Sequence, residues 1–227
     1  MNLVYPQVCP FCGKIFREGI CDDCRRKISY VREPRCYRCG KTLKDGSLEY
    51  CMDCRKNKRY FEQGRSLYQH RGEVAEAIYR LKFKNQREYA RLFAHEMAEQ
   101  FGESLKKWGV KEIIPIPLHW RRKKKRGYNQ AEILAKWLSR EVHIPVETHA
   151  LLRVRETRQQ KTLNHSQRHW NLEGAFGISR SWIPPERVLI VDDIYTTGST
   201  INKAAKMLKK AGVQKVFFLT ISIGQGL

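Results

Sequence analysis

Apolar positions along the chain follow two periods. Glu73 to Phe83 places Val74, Ala77, Ile78 and Leu81 at helical spacing, and Arg87 to Lys107 continues with Leu92, Phe93, Met97 and Phe101 until Gly109 ends it. A further helix is predicted from Gln130 through Arg140, and a last one from Ile201, Ala204, Ala205 and Leu208, closing by Gly212. Between them lie short apolar runs of strand type: Gly64 to Gln69, Glu112 to Leu118, Val188 to Val191, and Val216 to Ile223. Strands and helices in alternation predict an α/β fold with a parallel sheet flanked by helices. Pro115 and Pro117 place the end of pairing in the second strand, because proline has no N–H for the ladder. Ala150 to Phe176 breaks the pattern. It is basic and rich in amides, and it reads as a long excursion between strands of the kind that forms lids. His165 and His169 within it are four apart, which alone makes no metal site.

The first 60 residues carry too few aliphatics for a core and all eight cysteines instead. They form four Cys-x-x-Cys pairs, Cys9/Cys12, Cys21/Cys24, Cys36/Cys39 and Cys51/Cys54, separated by eight, eleven and eleven residues. A two-residue spacing lets one turn present two sulfurs to a tetrahedral ion, and two such turns complete a four-cysteine site. Two structural zinc ions are predicted, with successive partnering favoured and an interleaved arrangement (first pair with third) as the alternative. Gly13 and Gly40 each follow a pair, where such a knuckle needs a left-handed residue. Two domains follow: a zinc module over residues 1–60 and an α/β domain over residues 61–227.

Lys and Arg total 44 against 23 acidic residues, a formal charge of +21; eight thiolates on two zinc ions would lower it by four, to +17. A field of this sign attracts nucleic acid, anionic surfaces and diphosphates. The zinc module contributes Arg25, Arg26, Lys27, Arg55, Lys56, Lys58 and Arg59. No apolar run approaches the roughly 18 residues of a membrane span, and only eight residues precede Cys9, so a cytoplasmic protein is expected.

Chemistry concentrates in two places. Val188 to Thr200 reads Val-Leu-Ile-Val-Asp-Asp-Ile-Tyr-Thr-Thr-Gly-Ser-Thr: a buried strand, two carboxylates, a loop of small hydroxyls and a helix start. Loop amides, hydroxyls and the helix terminus suit a phosphate, and Asp192 and Asp193 fall where parallel sheets bind ligands. Six consecutive cations, Arg121, Arg122, Lys123, Lys124, Lys125 and Arg126, precede Gly127-Tyr128-Asn129-Gln130 at the end of the second strand. This stretch reads as a basic loop on the same rim, with Trp120, Tyr128 and Trp170 available to stack unpaired bases. Lys82 and Lys84 flank Phe83 at a helix end, where they suit either the terminal carbonyls or a contact to ligand.

Val188 to Thr200 resembles the phosphoribosyl diphosphate (PRPP) motif of type I phosphoribosyltransferases. The resemblance implies that Asp192 and Asp193 are the catalytic pair, holding the ribose hydroxyls of PRPP bound with Mg²⁺. It implies that Thr196, Thr197, Gly198, Ser199 and Thr200 hold the 5′-phosphate. By the same resemblance Arg121 to Arg126, Asn129 and Gln130 form a diphosphate or nucleic-acid loop. Taken with the double zinc module, the Pro-Ile-Pro-Leu and Arg-Gly-Tyr-Asn-Gln blocks and the Arg155 to Phe176 excursion, the chain resembles the ComF family with its ComFC-type and GntX-like members. That implies a cytoplasmic competence factor for uptake of transforming single-stranded DNA, beside a helicase-like competence partner and with a pocket for PRPP or a related phosphoribosyl compound. Two alternatives stand beside it. One is an active phosphoribosyltransferase of nucleotide metabolism or salvage, for which no residue identifies the acceptor. The other is a zinc-stabilised adaptor with a vestigial pocket.

Overall fold

The computed structural model describes residues 8–16, 19–154 and 174–224. The excursion read from the sequence lies outside them from residue 155 to residue 173, with His165, His169 and Trp170. The elements run α1 (Asp22–Lys27), α2 (Met52–Lys56), β1 (Gln63–Gln69), α3 (Gly72–Phe83), α4 (Tyr89–Trp108), β2 (Glu112–Pro115), α5 (Trp120–Arg126), α6 (Gln130–Val142), β3 (Leu151–Arg153), β4 (Phe176–Ile178), β5 (Arg187–Tyr195), α7 (Ser199–Lys210) and β6 (Lys215–Ile223). Among these helices none is long and apolar enough to cross a membrane.

The main sheet has the order β1-β6-β5-β2 and every pairing is parallel. Its strands read as nearly continuous apolar runs because both faces are covered. On one face Leu67, Ile113, Leu189, Val191, Phe217 and Leu219 pack with α3, α4 and α6. On the other, Ile114, Val188, Ile190, Val216 and Phe218 pack with α7 and the β3–β4 hairpin. Gly109 takes φ +62 at the end of α4, as the sequence requires. The strand expected over Glu112 to Leu118 stops at Pro115, and only the Ile116 amide still reaches β5, through the Val191 carbonyl at 2.9 Å.

The cysteine region does not stand apart from this core. Cys9, Phe11, Cys21 and Cys24 belong to the apolar cluster of the α3–α4 face, where the Phe11 ring meets Tyr68 at 5.6 Å and Phe93 at 6.0 Å. Cys36, Cys39, Leu43 and Cys54 belong to the cluster of the opposite face, with Phe61, Tyr195 and Phe218. The chain crosses from one face to the other over the edge strand. Tyr30 bridges Tyr68, the Val31 amide donates to Leu67 O and the Gln69 amide donates to Ser29 O, at 2.9 and 2.8 Å. These bonds fall on the side of β1 that faces away from β6, which covers an otherwise exposed sheet edge.

Two expectations change here. Residues 121–126, read as a loop, form the helix α5, which ends at Gly127 with φ +83. A left-handed glycine at the end of six charged but helix-compatible residues is a helix stop, and charge alone does not make a loop. Asp192 and Asp193, expected after the strand, lie within β5, because its ladder with β6 continues to Tyr195 opposite Ile223.

Gly64 fixes the packing of β1. A Cβ there would stand 2.0 Å from the Phe218 ring, which is stacked on Tyr195 at 4.8 Å and met edge-on by Phe61 at 4.9 Å. Gly64→Ala is expected to lower stability by about 1–3 kcal/mol in a urea titration. Gly102→Ala, in open space within α4, should raise it by about 0.5–1 kcal/mol.

Candidate functional site

A cavity of about 750 Å³ opens at the carboxyl ends of the parallel strands. Its floor is the end of β5. The β2 ladder stops at Val191, so from Asp192 onward β5 is unflanked on that side and its side chains reach the cavity. Both carboxylates are buried. Asp193 Oδ2 pairs with Lys82 Nζ at 2.7 Å, delivered from the last turn of α3. Lys82 lines the cavity, and its partner there is a carboxylate of the protein, which neither the helix-end nor the ligand or nucleic-acid reading of the sequence named. Asp192 Oδ1 accepts the Asp193 backbone amide at 2.8 Å. Burial, and next the neighbouring Asp193 charge, push the Asp192 carboxyl up to about 8, against the pull of Lys82 and Arg153. Arg153, from β3, lines the cavity too, and burial, followed by the Arg122 charge, lowers its guanidinium to about 10.

The loop into α7 forms a second wall. Thr196 and Thr200 line the cavity. Thr197 and Ser199 bond to one another, hydroxyl to hydroxyl, at 2.9 Å. Gly198 takes φ +75 directly over Tyr195, and a Cβ would lie 2.2 Å from the tyrosine oxygen. No other residue type fits that crossing, so glycine here is a steric requirement. α7 begins at Ser199 and turns its amino terminus, the positive end of its dipole, toward this loop.

The basic run separates by helical period. Arg122, Lys125 and Arg126 line the cavity, and Gln130 follows at the start of α6. Arg126 lies over the Phe83 ring at 4.8 Å and hydrogen-bonds Gln130 Oε1. Its guanidinium is lowered by burial, opposed by the Asp193 charge. The other three cations turn elsewhere: Lys123 pairs with Glu132 at 3.0 Å, Arg121 covers Trp120, and Lys124 is exposed. Asn129 is a structural residue, since it donates to Ile116 O at 3.0 Å and caps α6 by accepting from the Ala131 amide. Tyr128, offered by the sequence as a stacking ring, is buried and donates to Leu81 O. Trp120 is 62% exposed. Tyr79 and Phe83, one helical turn apart on α3 with ring centroids 5.0 Å apart, give the cavity an aromatic wall that the sequence did not point to.

The arrangement is chemically specific. A buried pair of carboxyl groups, one of them already met by a lysine, can hydrogen-bond ribose-type hydroxyls or take up a hydrated divalent cation, which would displace the proton that burial holds on Asp192. Facing cations and a helix terminus attract phosphate oxygens.

The cysteines gather into two sets, Cys9, Cys12, Cys21, Cys24 and Cys36, Cys39, Cys51, Cys54, with sulfurs in each set within 4.8 Å of one another. This is the successive arrangement. Close approaches of 3.7 Å (Cys12 to Cys21) and 3.6 Å (Cys39 to Cys51) match the roughly 3.8 Å between ligands on a tetrahedral ion with bonds of about 2.3 Å. They are far beyond disulfide distance, and all eight thiols are free. Gly13 and Gly40 both take φ +76. With four sulfurs and no open position, both sets suit structural zinc.

Zinc stoichiometry tests the partnering. Zinc-loaded protein should hold two zinc ions per chain by elemental analysis, and Cys9→Ser with Cys21→Ser should leave one; interleaved sites would leave none intact. A second expectation concerns pH. Because the Asp192 carboxyl is raised in the folded state, the unfolded chain releases this proton first, near its ordinary pKa of 3.8, and the folded chain near 8. The group therefore costs nothing below the lower value and progressively more as pH climbs toward the upper one. Asp192→Asn should match wild type at pH 4 in thermal unfolding and exceed it at pH 8 by about 2 kcal/mol or more.

Comparison with known proteins agrees with this anatomy. The double zinc ribbon domain family matches residues 1–55, and the phosphoribosyl transferase domain family matches residues 93–222. Competence protein F of Haemophilus influenzae is 33% identical, with 89% of each chain covered. Competence protein ComFC of Bacillus subtilis is 29% identical over 86% of this chain and 80% of its own. The DNA utilization protein YhgH of Escherichia coli K12 is 27% identical over 94% of this chain and 96% of its own. A cysteine-rich double ribbon joined to a phosphoribosyl transferase domain, at this identity and over this length, places the chain in the ComF family.

Proposed function

We propose that the cavity binds a phosphoribosyl compound, PRPP with Mg²⁺, and that the protein serves DNA uptake as a cytoplasmic competence factor. The observation that carries the pocket reading is the opening of three walls onto one space: the β5 carboxylate pair, the hydroxyl loop into α7, and the inward face of α5. In this reading Asp192 and Asp193 take the ribose hydroxyls and the Mg²⁺ shell, and the loop of residues 196–200 takes the 5′-phosphate. Arg122, Lys125 and Arg126 take the diphosphate, with Gln130 fixing Arg126. Bound Mg²⁺ would neutralise diphosphate charge. The chain's own part is to orient the ribose from β5 and to fix the Asp193 side chain against Lys82.

The competence-related role rests on relatives named competence protein F and ComFC. Single-stranded DNA as partner rests on the charge of +21, and a helicase-like protein is the second proposed partner. A division at residue 60 into zinc module and pocket domain organises the two roles. Phosphoribosyl transfer to a planar acceptor is a second reading, favoured by the Tyr79–Phe83 wall and by a volume within the range of ligand cavities.

Calorimetric titration of zinc-loaded protein with Mg·PRPP should give a micromolar Kd, weakened at least about 100-fold in Asp192→Asn/Asp193→Asn, equivalent to about 2.7 kcal/mol. Absence of heat in wild type would refute the pocket reading. Affinity for single-stranded DNA should fall steeply with salt, and a salt-independent or missing affinity would refute the DNA reading.

A further inference from the structure

The second cysteine set reaches the loop before α7 through a chain of contacts. Arg59 follows α2, the helix that carries Cys54. Its Nη1 donates to the Thr197 carbonyl at 3.1 Å, and its Nη2 to the Asp53 carbonyl at 3.4 Å, between Cys51 and Cys54. The flanking residues grip the start of α7: the Tyr60 amide donates to Asn202 Oδ1 at 2.7 Å, and Asn202 Nδ2 donates to Lys58 O at 3.0 Å. Beneath the loop, Tyr195 blocks the space under Gly198 and belongs to the same apolar cluster as Cys36, Cys39 and Cys54. The loop is therefore held from its side and from below by groups that adjoin the second set.

We propose that Arg59 is a positioning residue through which the second four-cysteine site sets the geometry of residues 196–200 and, on the phosphate reading of that loop, its affinity for phosphate. Two physical effects act together. In a trans peptide the carbonyl and the following amide point in opposite directions, so a Thr197 carbonyl turned to Arg59 turns the Gly198 amide away from the zinc module. The second effect is electrostatic. Four thiolates on Zn²⁺ carry net charge −2, and the Arg59 guanidinium, bonded on one side to the Asp53 carbonyl between two of those cysteines and on the other to the Thr197 carbonyl, stands between that charge and an anion on the loop. The zinc module is then a support of the pocket, beyond any contact it makes with nucleic acid.

The test uses the zinc-loaded full chain as wild type, Arg59→Ala, Arg59→Lys and Asn202→Ala. Zinc content, amide hydrogen exchange across residues 196–200, and ribose 5-phosphate affinity are read on the same samples. Arg59→Ala should keep two zinc ions, exchange at least about tenfold faster in the loop, and bind ribose 5-phosphate about tenfold or more weakly, the scale of one charged hydrogen bond. Arg59→Lys should recover part of both losses, since it restores the charge without the forked donor. Wild-type exchange in a two-zinc Arg59→Ala protein would overturn the proposal, as would faster exchange with unchanged affinity. If wild type takes up no ribose 5-phosphate, the pocket reading fails, and the exchange comparison still decides whether Arg59 positions the loop. If Arg59→Ala loses zinc, the Lys and Asn202→Ala variants decide by the same loop-specific exchange.

Discussion

Two carboxylates lie side by side at the end of the central strand of an apolar sheet, and the polar architecture around them answers that charge. Asp193 is met by Lys82 at 2.7 Å, Asp192 by a backbone amide, and Arg153 and Arg126 approach from the hairpin and from α5. Each partner comes from a different element, so α3, α5 and the β3–β4 hairpin must dock correctly for the pair to be tolerated. Well-packed apolar side chains would be no worse for stability at this position. A group pushed up by burial and a like charge, and facing a cavity, is the pattern of a site that binds something.

The zinc module has the opposite character. It adds little apolar surface of its own, yet each half joins the core on a different face of the sheet, and the crossing between them pairs the edge of β1. The ions would do for these 60 residues what a hydrophobic core does elsewhere. What the main domain gains is a covered edge and, before α7, a loop whose Thr197 carbonyl is held by Arg59 and whose following helix is gripped at Asn202.

What is legible in the sequence is contiguous. Val188 to Thr200 carries strand, acids and loop in order, and the cysteine spacing carries the knuckles with Gly13 and Gly40. Partners from distant segments are less so. Lys82 stands out with two readings open, Arg59 shows only as one of the zinc module's cations, and Arg153 carries no mark of its own, because only topology brings them to β5 and α7. The basic run is legible as charge, and its shape is a helix where a loop is expected. Spacing of Arg122, Lys125 and Arg126 at i, i+3 and i+4, with Gly127 after them, already traces one face of that helix. Tyr128 shows an aromatic among cations and proves to be core, because the turn before α6 folds it under Leu81.

The most direct measurement is a crystal structure of the zinc-loaded protein grown with Mg·PRPP. The 5′-phosphate is expected on residues 196–200, the ribose hydroxyls on Asp192 and Asp193, and the diphosphate facing Arg122 and Arg126. A ligand seated elsewhere, or saturating Mg·PRPP that leaves this cavity empty, would contradict this assignment.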